Sequence, residues 1–293
     1  MQKNINIAAI ERDTGLGKDT LRVWERRYGF PAPERDENGE RVYAPSDLDK
    51  IRLVQRLMHQ GHRPGKIMHL DIATLGAMLN LDTASNATNS TEIEIVRLLK
   101  THQISEIHQY LRNLLIEQGL ARFVTDSLSI MNTQVGDAWM QGQLAIFEEH
   151  AYSEQVQAIL RATINQLSSA LMPPKILLTT LPGEQHILGL LMAEAMLTLA
   201  GATCINLGAQ IPVYEINAAM RAHQADVLCL SFNTAFPKNQ CLQSLAELHQ
   251  LLPAKATIWV GGQGVPKAKL STGVQHIPTL SGLEPAVHNW RAR

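Results

Sequence analysis

Two clusters of side chains in this chain carry chemistry in their spacing. The first is Gly183-Glu-Gln-His-Ile-Leu-Gly189. The His186 ring can offer a nitrogen to a metal, and the Glu184 carboxylate, two residues earlier, can hydrogen-bond the other nitrogen. Such a bond fixes the tautomer and strengthens the imidazole as a ligand. Taken alone, the pair reads either as a metal ligand with its carboxylate or as an ordinary loop histidine. The second cluster is the cationic start of the chain, with Arg12, Arg22, Arg26, Arg27, Arg35, Arg41, Arg52, Arg56 and Arg63. Arginine forks grip phosphates and guanine edges. Net charge is only −1, so this cation density is local. Between Met172 and Ala225 the basic side chains other than histidine are Lys175 and Arg221. One end of the chain is therefore suited to a polyanion and the other to something largely apolar.

The elements that must hold these groups follow from periodicity. Lys175 to Thr180 reads as a short buried strand that ends just before His186, followed by an apolar helix from Ile187 to Ala200 whose start Gly189 lets pack closely. Strands over 202–207, 226–232 and 257–262 alternate with helices over 216–223 and 240–251, and a weak strand lies at 274–277. Buried apolar strands alternating with helices predict a Rossmann-like, doubly wound parallel sheet, whose ligands sit beyond the carboxyl ends of the strands. Ser231, Asn233 and Thr234 close the third strand there, and Gly261 and Gly262 the fourth.

From Glu92 to Leu171 there is no proline, and apolar residues recur at helical spacing, which predicts a four-helix bundle. Asp82 to Thr91 is small and polar and reads as a linker, with Ser90 or Thr91 capping the next helix. Near the start, Ile7 to Gly15 and Lys18 to Tyr28 form a helix, a glycine turn and a second helix with Leu21 and Trp24 inward. Arg35 to Tyr43 predicts a β-hairpin with a two-residue Asn38-Gly39 turn. The expected organisation is multidomain α and α/β: a winged helix-turn-helix over 1–75, a linker over 76–91, a bundle over 92–171 and the sheet domain over 172–293.

The order of helix-turn-helix, Arg26-Arg-Tyr-Gly-Phe-Pro31, hairpin and Tyr43-Ala-Pro-Ser-Asp-Leu-Asp49 resembles the MerR family of winged-helix regulators. The resemblance implies a dimeric reader of double-stranded DNA at roughly palindromic operators, with Lys18, Arg22, Arg26, Arg27 and Tyr28 on the reading helix and Arg35, Arg41 and Tyr43 on the wing. MerR-type metal and drug sensors continue into a long dimerisation helix. Here a linker and a bundle follow, so self-association into a dimer or tetramer would run through the C-terminal domains.

Glu-x-His-x-x-Gly is similar to the Asp-x-His-x-x-Gly signature of cobalamin-binding domains, in which the histidine is the lower ligand to cobalt. That likeness implies His186 on cobalt and Gly183, Glu184, Gly189, Ser231, Asn233, Thr234, Gly261 and Gly262 around the cofactor, the small residues leaving a channel for its nucleotide tail. Trp139, by itself readable as a core tryptophan, is followed ten positions later by Glu149 and then His150. This pattern resembles the cap of cobalamin photoreceptor repressors of the CarH/LitR type, where such residues lie over the upper face and adenosyl group. Those proteins can carry a histidine directly after the tryptophan; this chain has Met140, a soft thioether and a poor substitute for imidazole at Co(III).

Together the resemblances imply an adenosylcobalamin-dependent, light-responsive repressor, with a light-independent cobalamin-sensing or cofactor-free regulator as the alternative. A corrinoid methyltransfer enzyme is a third reading, but no catalytic constellation is present and the DNA reader argues against it. Cys204, Cys229 and Cys241 are far apart and lack metal or disulfide spacing. No apolar run reaches the ~20 residues of a membrane span, and the N-terminus has no apolar signal core, so a cytoplasmic protein without a membrane partner is expected.

Overall fold

The computed structural model describes residues 5–14, 16–37, 39–59, 62–78, 94–167, 172–234, 236–266, 270 and 273–292. The chain forms two compact units, one of Met1–Thr101 with Gln134–Glu149 and one of His102–Thr133 with His150–Arg293. Most of the expected linker, including Ser90 and Thr91, lies outside the described residues, as does Asn38.

The first unit opens with β1 (Ile5–Asn6) and α1 (Ile7–Thr14), where the Asn6 side chain accepts the Ala9 N–H at 2.8 Å and caps the helix. Next comes α2 (Lys18–Tyr28), closed by Gly29 at φ +67°, whose N–H bonds Glu25 O. Such a left-handed cap costs glycine no Cβ clash. β2 (Glu34–Arg35) and β3 (Arg41–Tyr43) form the hairpin, and β1 pairs with β3 to give an antiparallel sheet of order β1-β3-β2. The turn is longer than expected. Gly39 N–H bonds Asp36 O, Asp36 N–H bonds Glu40 O, and Asp36 Oδ1 takes the Glu40 N–H at 2.8 Å. Gly39 is left-handed at φ +77°. α3 (Pro45–His59), α4 (Pro64–Ile67) and α5 (72–78) complete the region. Ile10, Leu21, Trp24, Tyr43, Ile51 and Val54 fill its core.

Four α-helices follow: α6 (Glu94–Lys100), α7 (Ile104–Arg122), α8 (Ser129–Met140) and α9 (Ile146–Gln166). No loop separates α7 from α8; a π-helical stretch, Phe123–Leu128, joins them, and Gly119 at φ +72° breaks the helical geometry within α7. α8 and α9 each pass from one unit to the other.

The second unit carries β4 (Met172–Thr179), α10 (Leu188–Leu199), β5 (Ala202–Asn206), α11 (Val213–Ala222), β6 (Val227–Ser231), α12 (Lys238–Leu251), β7 (Thr257–Gly261), β8 (Val274–His276) and α13 (Leu283–Arg291). The sheet is fully parallel with order β5-β4-β6-β7-β8. α11 and α12 cover one face through Ile216, Met220, Cys241 and Leu245 over Leu177, Leu228 and Val260. α10 and α13 pack together against β4. The Arg291 guanidinium donates to Pro173 O, Ala200 O and Gly201 O at 2.7, 3.1 and 2.9 Å, tying α13 to β4 and to the carbonyl end of α10. Chain order reverses between β4 and β6, so their carboxyl ends define the crevice in which doubly wound folds bind ligands. Among the described residues, no helix is long and apolar enough to cross a membrane.

Candidate cofactor site and nucleic-acid interface

His186 stands in that crevice, on the loop between β4 and α10. Its side chain is 60% exposed, whereas Glu184 beside it is only 2% exposed. Glu184 Oε1 accepts the His186 backbone N–H at 3.0 Å and meets Nδ1 at 2.6 Å, and Oε2 takes the Asn233 N–H from the β6 loop at 2.7 Å. Burial alone would raise the Glu184 carboxyl; the bonds from His186 and Asn233 overcome it and hold the group below its ordinary range. An ionised carboxylate only accepts, so Nδ1 donates to it, and in the uncharged form of the ring the lone pair then lies on Nε2. Among the described residues Nε2 has no hydrogen-bond partner.

The surrounding loops are tightly built. Gly183 stands at φ +90°. A methyl on Gly189 would lie 3.1 Å from the Ser231 hydroxyl, so its hydrogen lets α10 start against β6. Ser231 and Asn233 are half-buried and Thr234 is exposed. The glycines at the end of β7 and just after it lie close against neighbouring backbone. A Cβ on Gly261 would meet Ile277 O at 3.3 Å, one on Gly262 would meet Phe232 O at 2.3 Å, and one on Gly264 would meet Asn233 O at 2.0 Å. Their missing side chains let the β7 loop close onto Phe232–Asn233, with Phe232 N–H on Gly261 O and Gly264 N–H on Phe232 O.

Trp139 is half-buried near the end of α8, and its carbonyl accepts the Gly142 N–H at 2.9 Å, turning the chain toward α9. Glu149 is half-buried and His150 exposed on the first turns of α9. The buried glutamate there is Glu148, whose carboxylate takes the Ala145 N–H at 2.6 Å, half of a capping box. Trp139 and Glu149 belong to the first unit, and His150 and His186 to the second.

On α2, Arg22, Arg26 and Arg27 are exposed and Lys18 half-exposed. Arg22 meets Asp19 at 3.1 Å, Lys18 meets Glu11 at 3.4 Å, and Arg27 lies 5.5 Å from the centre of the Tyr28 ring. On the wing, Arg35 donates to Gly39 O at 2.7 Å. Tyr43 is a correction. It is fully buried, and its hydroxyl donates to Glu25 at 2.6 Å. Burial, with the Glu25 bond, pushes its phenol well above the usual range. A side chain in the core cannot touch DNA; Tyr43 instead holds Glu25, which also meets Arg41 Nε at 3.4 Å. Asn233 N–H, a main-chain donor, carries no signal in residue type and was not foreseen, nor was Glu25.

Comparison with known proteins matches residues 5–71 to the MerR HTH family regulatory proteins and residues 174–274 to the B12 binding domain. The chain joins a MerR helix-turn-helix domain to a B12-binding domain. It is homologous along most of its length to two proteins of Myxococcus xanthus. It is 26% identical to the HTH-type transcriptional repressor CarH, over 88% of each chain. It is 27% identical to the HTH-type transcriptional repressor CarA, over 93% of this chain and 92% of that protein. In fold it is similar to the monomethylamine corrinoid protein of Methanosarcina barkeri, with a TM-score of 0.53 and 13% identity over 67% of this chain and 96% of that one. The Glu184–His186 pair and the Asn233 contact fall inside the B12-binding domain, and α2 with its hairpin falls inside the MerR domain.

Proposed function

We propose that this protein is a transcriptional repressor that binds its operator with adenosylcobalamin bound in the dark and releases it on illumination. The carrying observation is the His186 ring, held through Nδ1 by a buried carboxylate at the β4–β6 crevice of a B12-binding domain. The donor chemistry fits a corrinoid: a neutral imidazole of fixed tautomer with its Nε2 lone pair available. His186 would be the lower ligand. Gly183, Glu184, Gly189, Ser231, Asn233, Thr234, Gly261 and Gly262 would form the surrounding loops, and Trp139, Glu149 and His150 would cover the upper face. Adenosylcobalamin supplies a cobalt–carbon bond that visible light cleaves. Movement of the Trp139 turn would then change self-association between dimer and tetramer, and with it the number of MerR domains presented together. Multivalent contact through Lys18, Arg22, Arg26, Arg27, Tyr28, Arg35 and Arg41 raises affinity without new base contacts.

The test is an absorption spectrum of protein mixed with adenosylcobalamin in darkness, desalted, then exposed to green light, with a gel shift on DNA from its own promoter. The expected result is a retained corrinoid whose spectrum changes on illumination, lost DNA binding after light, and weakened retention by His186→Ala. Full retention by that variant removes His186 from the site. Met140, placed directly after Trp139, favours a second reading: a cobalamin sensor indifferent to light. A retained, light-stable corrinoid that is still needed for DNA binding would select it.

A further inference from the structure

The loop after β5, residues 207–212, has no role in the site described so far, yet it grips the base of the His186 loop on the side away from β6. Thr179 Oγ1 donates to Gly208 O at 2.9 Å, and Ile211 N–H bonds Thr180 O at 3.0 Å. The centre of the contact is Gln210. Its backbone N–H donates to Thr180 Oγ1 at 2.9 Å, and that hydroxyl donates in turn to Glu184 O at 2.6 Å. Its side-chain Oε1 accepts the Gly183 N–H at 3.2 Å. Gln210 makes these contacts at φ +63°, a conformation that side-chain-bearing residues seldom adopt. It is exposed, so core packing does not force it there. A strained residue that persists is over-determined by its surroundings, and such residues gather at functional sites.

We infer that Gln210 is a positioning residue for His186. Its two hydrogen bonds fix the turn that carries Glu184, and Glu184 fixes the proton on His186 Nδ1. Glu184 is thus held from opposite sides: its backbone carbonyl by the Thr180 hydroxyl, which Gln210 N–H supports, and its carboxylate by Asn233 N–H from the loop after β6. For cofactor affinity the inference rests on the reading of His186 as the lower ligand; for the tautomer it does not.

The test compares the full-length protein with Gln210→Ala, Gln210→Gly and Gln210→Glu. Nitrogen NMR of the His186 ring, without cofactor, reads the tautomer. The wild type should show one tautomer with the proton on Nδ1. Gln210→Ala and Gln210→Gly should show a mixture, and Gln210→Glu, which keeps an acceptor oxygen, should restore the single form. Dark titration with adenosylcobalamin should show about tenfold weaker binding for the alanine and glycine variants and near-wild-type binding for glutamate. An unchanged tautomer in both the alanine and glycine variants overturns the inference. If wild-type protein holds no corrinoid, the lower-ligand reading fails while the tautomer result still decides the role of Gln210. Circular dichroism at matched temperature separates a positioning effect, which leaves the spectrum unchanged, from loss of fold, which would show Gln210 to be structural and also overturn the inference.

Discussion

Glu184→Gln tests the chemistry of the crevice most directly. Glu184 is 2% exposed and divides its work between its oxygens: Oε1 serves His186 N–H and Nδ1, and Oε2 serves Asn233 N–H. Glutamine has one carbonyl oxygen for these donors. Whichever way the amide turns, its NH2 faces a backbone N–H. One buried donor left unmatched costs about 1–3 kcal/mol, and the surviving bonds fall from charge-assisted to neutral, roughly half as strong. The expected loss is about 2–4 kcal/mol of stability, read by urea unfolding at neutral pH without cofactor. With the NH2 toward His186, Nδ1 becomes an acceptor and the ring proton moves to Nε2, removing the lone pair a metal needs. The pH dependence has a definite sign. The folded carboxyl lies below its ordinary value of 4.5. Its contribution is therefore complete above that value and fades as pH falls through the lower folded value. Wild type and variant should thus converge in acid. A variant within about 0.5 kcal/mol of wild type at neutral pH, or a gap that persists undiminished to about pH 2, refutes the reasoning.

Gly264→Ala, which sets a methyl 2.0 Å from Asn233 O, should cost about 1–3 kcal/mol by calorimetry. Gly189→Ala should cost less, because Ser231 Oγ, at 3.1 Å, can rotate away; equal losses would contradict the assigned contacts. Arg291→Ala should lower stability by about 1–2 kcal/mol, discounted for solvent exposure. Arg291→Lys should recover little of it, since an ammonium cannot span three carbonyls. Tyr43→Phe should cost about 1 kcal/mol in thermal unfolding yet leave the salt dependence of DNA binding unchanged, whereas Arg22→Ala should reduce that slope by about 1; a changed slope in Tyr43→Phe would return that residue to the interface. Burial pushes the thiols of Cys204 and Cys229 up to about 12 and that of Cys241 up to about 11. A thiol reagent at neutral pH should label none in the native protein and all three after unfolding, and prompt native labelling would show the sheet to be open.

The parallel sheet was legible because its strands are buried on both faces: Ile176–Leu178, Val227–Leu230 and Ile258–Val260 are inaccessible apolar runs. The early start of β4 was not, because Pro173 and Pro174 read as a break, while the strand passes through them with a register shift before Lys175. β1 has two residues, too few for alternation to appear. The hairpin was marked by Gly39, but glycine fixes only where the chain turns left-handed, and the Asp36 side chain lengthened the loop. In the bundle, periodicity located the helices, but neither the break at Gly119 nor the π stretch changes the spacing enough to be read. The Glu184–His186 pair was legible because it is local. The Asn233 contact uses a main-chain donor that every residue but proline possesses, so residue type carried no trace of it, and the Gln210 side chain meets Gly183 across a separation of 27 residues that local spacing does not reveal.

The chain crosses between its two units after Thr101, after Thr133 and after Glu149, the last two crossings lying within α8 and α9. No single cut therefore divides the molecule into its folded parts. A gene fusion that moved residues 1–101 to a new partner would leave Gln134–Glu149 behind, and a recombination that replaced residues 102–293 would carry that piece away. Trp139 and Gly142 sit in this excursion, so it is inherited with the B12-binding domain while folding with the MerR domain. For this protein, exchanging the B12-binding domain by swapping sequence blocks means exchanging part of the first unit as well.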